Sequence, residues 1–250
     1  MMKHLKKKIC VLLTAALVMA GVMTGCAFGG QKNGVKNTVS TAPSEPFDPH
    51  KFGMDDLTVN GNVKLGMTVD EVKEILGQPD SEETLTDEFI YGKNTLMTYG
   101  GLSLTFFDPD GGDDFRLGII SSTSENDKFV GGLHVGCSAD EVIADFTRDE
   151  EVLPLYFDSV EESCGDYLYG TFTRDDFLLE KPEGVIQYAY INKWGMEDSG
   201  EYLLEYYYYN PLIWAGEYSG YTGDYYSMVF YVDAESNLVS GINLNYDVLL

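Results

Sequence analysis

The chain has 250 residues, with 41 acidic side chains against 16 basic ones and a formal net charge of −25. Such a surface repels nucleic acid and anionic lipid headgroups, so neither is expected as a partner; it favours a basic partner or cations, or else belongs to an acidic exported protein with no charge-directed partner. The first eight residues hold Lys3, Lys6, Lys7 and Lys8 and no acid, and Ile9 to Val22 is an almost unbroken apolar run. A charged start and an apolar run shorter than the roughly 20 residues of a spanning helix form the pattern of a secretory signal, with a short uncleaved anchor as the alternative.

The run closes on Met23-Thr24-Gly25-Cys26, which resembles the lipobox of bacterial lipoproteins. The resemblance implies that residues 1–25 are removed and that Cys26 carries the lipid. The chain would then be extracytoplasmic and anchored to the bacterial cell membrane, or to the outer membrane where the source has one. Met23 departs from the more usual Leu, and Ala27 gives no argument for inner-membrane retention. Losing four lysines and no acid takes the charge from −25 to −29. Residues 26–56 are rich in Gly, Asn, Ser, Thr and Pro and read as a flexible tether with a reach of about 25–30 Å. His50 within it reads as a solvated loop residue. Cys10 falls in the signal, so Cys137 and Cys164 remain as an even pair in an exported context. They form either a disulfide or two buried thiols.

The folded part repeats itself. Leu65-Gly66-Met67-Thr68-Val69-Asp70-Glu71-Val72 aligns with Val135-Gly136-Cys137-Ser138-Ala139-Asp140-Glu141-Val142 at a constant offset. Thr68 and Ser138 are each placed to cap a helix, with Glu71 and Glu141 three residues on completing a capping box. Val69, Val72, Ile75 and Leu76 share one face, as do Ala139, Val142, Ile143 and Phe146. Gly77 and Pro79 stop the first helix, whereas the second has no such stop signal. Each copy then holds a strand, an acidic turn and a returning strand: Phe106–Gly111 leading to Leu117–Ile120, and Phe230–Asn237 leading to Leu238–Ile242. Alternation puts Leu102, Leu104 and Phe106 on one side, and Ile242, Leu244 and Tyr246 likewise. The expected fold is α+β: two tandem units, 57–126 and a larger 127–250, each a short helical segment packed on an antiparallel sheet.

A Gly-Met-Thr-x-x-x-Val helix start, a Leu-Gly-x-Pro stop and paired strands with an acidic turn resemble the β-lactamase-inhibitor-protein fold and the SmpA/OmlA-type assembly lipoproteins. Tandem copies favour the inhibitor form. The resemblance spans most of residues 57–250 and implies a non-catalytic protein that binds an envelope or secreted protein, such as a penicillin-binding protein or a protease, through its sheet. Gly223-Asp224-Tyr225-Tyr226 is similar to a Gly-Asp-Tyr-Tyr turn of the inhibitor, which makes Asp224 an anionic probe flanked by Tyr225 and Tyr226. Here it falls in the second unit rather than the first. Cys137 also precedes its helix, so the inhibitor's disulfide pattern does not transfer.

No chemistry-bearing motif competes with that reading. His134 is the lone histidine of the expected fold, no Gly-x-Ser-x-Gly stands in the chain, and no metal-ligand spacing or cofactor motif recurs. Asp108, Asp110, Asp113 and Asp114 begin like a calcium loop, but Ile119 holds the closing position, and turn chemistry accounts for them. The unusual feature is aromatic: 16 of 18 tyrosines follow residue 150 and Tyr206–Tyr209 are consecutive, so a strand there must show tyrosine on both faces. Tyr207, Tyr209, Trp214, Tyr221, Tyr225 and Tyr226 are therefore the expected exposed binding surface. A surface solute- or glycan-binding lipoprotein using that Tyr/Trp face, or an envelope-assembly scaffold, is the alternative.

Overall fold

The structure is a computed structural model that describes residues 49–87, 92–108, 112–156, 163–171, 185–214 and 221–249. All of them fall in one compact unit, Ser44–Leu250. The fold is mostly β-sheet with few helices, one large antiparallel sheet and one small one. In chain order the elements are β1 (Thr58–Val59), β2 (Val63–Lys64), α1 (Val69–Leu76), β3 (Ser81–Asp87), β4 (Gly92–Tyr99), β5 (Leu102–Phe107) and β6 (Arg116–Ser122). There follow α2 (Ala139–Asp145), β7 (Pro154–Leu155), β8 (Gly165–Tyr169), β9 (Ile186–Asn192), α3 (Met196–Ser199), β10 (Glu201–Trp214), β11 (Tyr221–Asp233) and β12 (Leu238–Leu249).

β1 and β2 make a small ribbon, and the other strands form one sheet in the order β3-β4-β5-β6-β12-β11-β10-β9-β8-β7. The strands of both repeat segments thus join edge to edge, through four register pairs between β6 and β12 from Ile242↔Ser122 to Asn245↔Ile119. The register of β5 with β6 shifts between Thr105 and Phe106, which pair with Ile119 and Leu117.

The two capping boxes form as the sequence predicts. Thr68 Oγ1 accepts from the Glu71 amide at 3.3 Å and Ser138 Oγ from the Glu141 amide at 3.2 Å, while each Glu carboxylate accepts from its cap residue's amide. Gly66 and Gly136 sit at φ +85° and +95°, the left-handed region that glycine adopts without a Cβ clash. Their amides donate to Leu117 and Val239, and those residues donate back to the carbonyls of Met67 and Cys137. Each helix start is therefore pinned to the first residues of a returning strand, β6 or β12. α1 ends at Gly77 (φ +81°), whose amide donates to Lys73. α2 ends where Phe146 turns extended to pair with His50. Ile75 departs from its expected face and is exposed, while Val72 and Val142 are fully buried.

Alternation divides the large sheet into two faces. Leu104, Phe106, Ile120, Ile242, Leu244, Met228, Phe230, Leu204 and Tyr206 form one core with Val72, Ala139, Val142 and Phe146 of the helical segments. Phe146 packs on Tyr206 with ring centroids 4.3 Å apart. Burying this face drives the fold at roughly 25 cal/mol per Å² of apolar surface removed from water.

Of residues 49–56, which the sequence places in the tether, Phe52 belongs to this core and Asp56 is buried. Phe52 is fully buried; its amide donates to Tyr169 Oη at 2.9 Å and its carbonyl accepts from Gln187 Nε2 at 2.8 Å. His50 is not a solvated loop residue either. Its Nε2 donates to the buried Asp56 carboxylate at 2.8 and 2.9 Å, and its backbone bridges Phe146. Burial raises the Asp56 carboxyl above the usual carboxylate range, although the Gly53 amide and His50 both pull it down.

Candidate functional site

The opposite face of the sheet carries neither α1 nor α2, and it divides into two parts. Across the strands of the second segment it is aromatic. Tyr188 on β9 and Tyr207 on β10 are register partners whose rings stack at 4.7 Å, and Tyr190 stacks on Tyr207 at 5.7 Å. Their hydroxyls continue the order. Tyr190 Oη donates to Tyr207 Oη at 3.4 Å, Tyr207 donates to the Glu205 carboxylate at 2.7 Å, and Asn192 Nδ2 donates to its other oxygen at 3.1 Å. Tyr188 and Tyr225 share a hydroxyl contact of 3.3 Å. Burial raises the hydroxyls of Tyr188, Tyr190, Tyr207 and Tyr225 far above the ordinary tyrosine range, and nearby groups including Glu205 add to it. These phenols are therefore neutral hydrogen-bond donors and acceptors at physiological pH.

From β11 to β4 the same face changes character. Val229↔Asn243, Asn243↔Ser121, Ser121↔Ser103 and Ser103↔Thr98 are successive register pairs, so Thr98, Ser103, Ser121 and Asn243 line up across four adjacent strands. Strand spacing sets these groups about 4.8 Å apart. All four are half-buried, as are Leu96, Thr105, Ile119 and Asn245 on the flanking rows. Asn243 Nδ2 donates to Tyr231 Oη and Asn245 Nδ2 to Ser227 Oγ, which fixes both amides.

Several expectations change here. Tyr207, Tyr209 and Tyr226 are 8%, 1% and 8% exposed, so they are packed residues and not an exposed platform. Long twisted strands let neighbouring tyrosine rings cover one another, so consecutive tyrosines are buried on both faces. Tyr225 is half-buried. Asp224 lies inside β11, paired with Asn210 and Val248, so Gly223-Asp224-Tyr225-Tyr226 forms strand rather than turn. Trp214 and Tyr221 are register partners at the end of the β10–β11 hairpin; the side chains of Trp214, Tyr221 and Asp224 lie outside the described residues. Cys26 lies outside them as well.

Cys137 and Cys164 are both buried and not joined to each other. Cys137 is hydrogen-bonded to Val239 at the start of β12, and Cys164 to Lys193 at the end of β9. With β10 and β11 between those strands, three spacings of about 4.8 Å exceed the ~7 Å Cα limit of a disulfide. Burial raises the Cys137 thiol above its ordinary range. His134 Nδ1 donates to the Gly132 carbonyl at 3.1 Å. In the acidic turn, Asp108 accepts from the amides of Gly112 and Asp113, Asp113 pairs with Lys93, and Asp114 pairs with Arg116. Among the described residues no three His, Cys, Asp or Glu side chains gather as a metal site, and no helix is long and apolar enough to cross a membrane.

Glu205, Asn192, Ser121 and Asn243 escaped the sequence reading. The Asn alternation in Ile242-Asn243-Leu244-Asn245 was the available signal: two amides facing away from a core strand's apolar side. No protein-family model, no curated protein and no solved structure matches this chain.

Proposed function

We propose that the chain is a non-catalytic bacterial lipoprotein, anchored through Cys26 on the extracytoplasmic side, that binds an envelope or secreted protein through the sheet face opposite α1 and α2. The observation that carries this is the half-buried, uncharged row Thr98, Ser103, Ser121 and Asn243 in a molecule of net charge −25. Interface centres are depleted of charge and enriched in tyrosine, and this face has both properties. Because the rings of Tyr188, Tyr190 and Tyr207 stack on one another, a protein partner suits this face better than a sugar needing open ring planes.

Tandem duplication belongs to the same proposal, and the matched caps and helix-to-strand hydrogen bonds at Gly66/Leu117 and Gly136/Val239 support it. So does the likeness to the β-lactamase-inhibitor-protein and SmpA/OmlA type. The test has two arms. Cys26→Ser should lose radiolabelled fatty acid and move to the soluble fraction; unchanged labelling rejects the anchor. Ser121→Arg should lose partners retained by the parent in affinity capture from its own envelope, whereas Glu74→Ala on α1 should keep them. Equal recovery by Ser121→Arg rejects the face.

A further inference from the structure

The described charges around the face opposite α1 and α2 identify the kind of partner it fits. At the margin of the uncharged row stand Glu83 on β3, exposed, and Glu201 and Asp233, register partners at one end of β10 and β11. Ser240 Oγ donates to Glu201 at 2.7 Å and fixes its carboxylate at that end. Among the described residues near this margin, Arg116 is already paired with Asp114 at 2.9 Å. Four strands about 4.8 Å apart and three residues along each at about 3.4 Å give a centre on the order of 200 Å², well short of the ~800 Å² that a standard interface covers per partner. The remainder must come from the rim, and the rim is acidic. A second copy of this chain would bring the same acidic rim and a charge of the same sign against it.

We propose, resting on the binding function above, that the partner is a basic protein. Its uncharged patch seats across Thr98, Ser103, Ser121 and Asn243, and its cationic margin meets Glu83, Glu201 and Asp233. The long-range field of the acidic chain steers that partner in, and the neutral centre accepts it without stranding a buried charge.

The experiment places the photocrosslinker p-benzoylphenylalanine in the full-length chain at Ser121, at Glu83, or at the exposed Glu74 of α1, and illuminates cells of the source. Thermal unfolding of each purified variant checks that it is folded. Adducts should form from Ser121 and Glu83 but not Glu74, to a protein of basic sequence. Their yield on isolated envelopes should fall several-fold between about 0.05 and about 0.5 M salt. Adducts at Ser121 to an acidic protein, to a glycan or to a second copy of this chain overturn the charge assignment and leave binding through the face standing. A salt-independent yield does the same. No adduct from Ser121 and Glu83, or equal adducts from Glu74, overturns both.

Discussion

Tyr206 shows what a single atom decides in this fold. Its ring is fully buried against Phe146, Tyr169 and Phe230, yet among the described residues its hydroxyl has no hydrogen-bond partner. A buried hydroxyl left unpaired costs about 1–3 kcal/mol. Tyr206→Phe keeps the packing and removes that cost, so its urea midpoint should rise, with a gain of about 1 kcal/mol; a clear loss of stability would show that the hydroxyl is satisfied after all. Glu205 is the contrasting case, a buried carboxylate whose two oxygens are taken by Tyr207 and Asn192. Both residues lie in Leu204-Glu205-Tyr206, where the sequence shows only alternation. Glu205 takes one partner from its own strand and the other from the neighbouring β9, so register between the two strands completes its pairing.

The helices are the most locally determined elements. Each is 7–8 residues long, too short to persist alone, and each depends on its cap and on packing one apolar edge. Thr68→Ala and Ser138→Ala should each cost about 1 kcal/mol in denaturant unfolding. A loss at one cap and none at the other would break their equivalence. The amide and hydroxyl of the cap residue hold Glu71 and Glu141 below the usual glutamate range. Their folded-state affinity for protons is therefore lower than in the unfolded chain. The stabilisation they give is present above the ordinary glutamate pKa and is lost as pH falls through the lowered folded value. Glu141→Gln should flatten the acid limb of the stability–pH curve in that window, and an unchanged limb would argue that the carboxylate is not engaged in solution.

At the scale of the molecule, the join between β6 and β12 is the decisive feature. Leu244 there is fully buried, in register with Ile120 on one side and Met228 on the other. One continuous sheet and one core predict a single cooperative transition. Leu244→Ala should cost about 2–5 kcal/mol and lower hydrogen-exchange protection of β5 and β10 together. Loss confined to one half would mean that the two segments are independently stable.

The sequence by itself determined what depends on neighbours a few residues away: the caps at Thr68 and Ser138, the stop at Gly77, the strand–turn–strand pairs and the inward set Leu102, Leu104 and Phe106. Helix capping and strand alternation have short periods, and three to eight residues suffice to display them. Tertiary structure decided what depends on register between distant strands. It drew Phe52 into the core and His50 onto the buried Asp56, buried Tyr207, Tyr209 and Tyr226, and kept Cys137 and Cys164 apart. It also aligned Thr98, Ser103, Ser121 and Asn243 into one row, because a side chain's exposure is set by whichever strand lies beside it, and no local pattern encodes that.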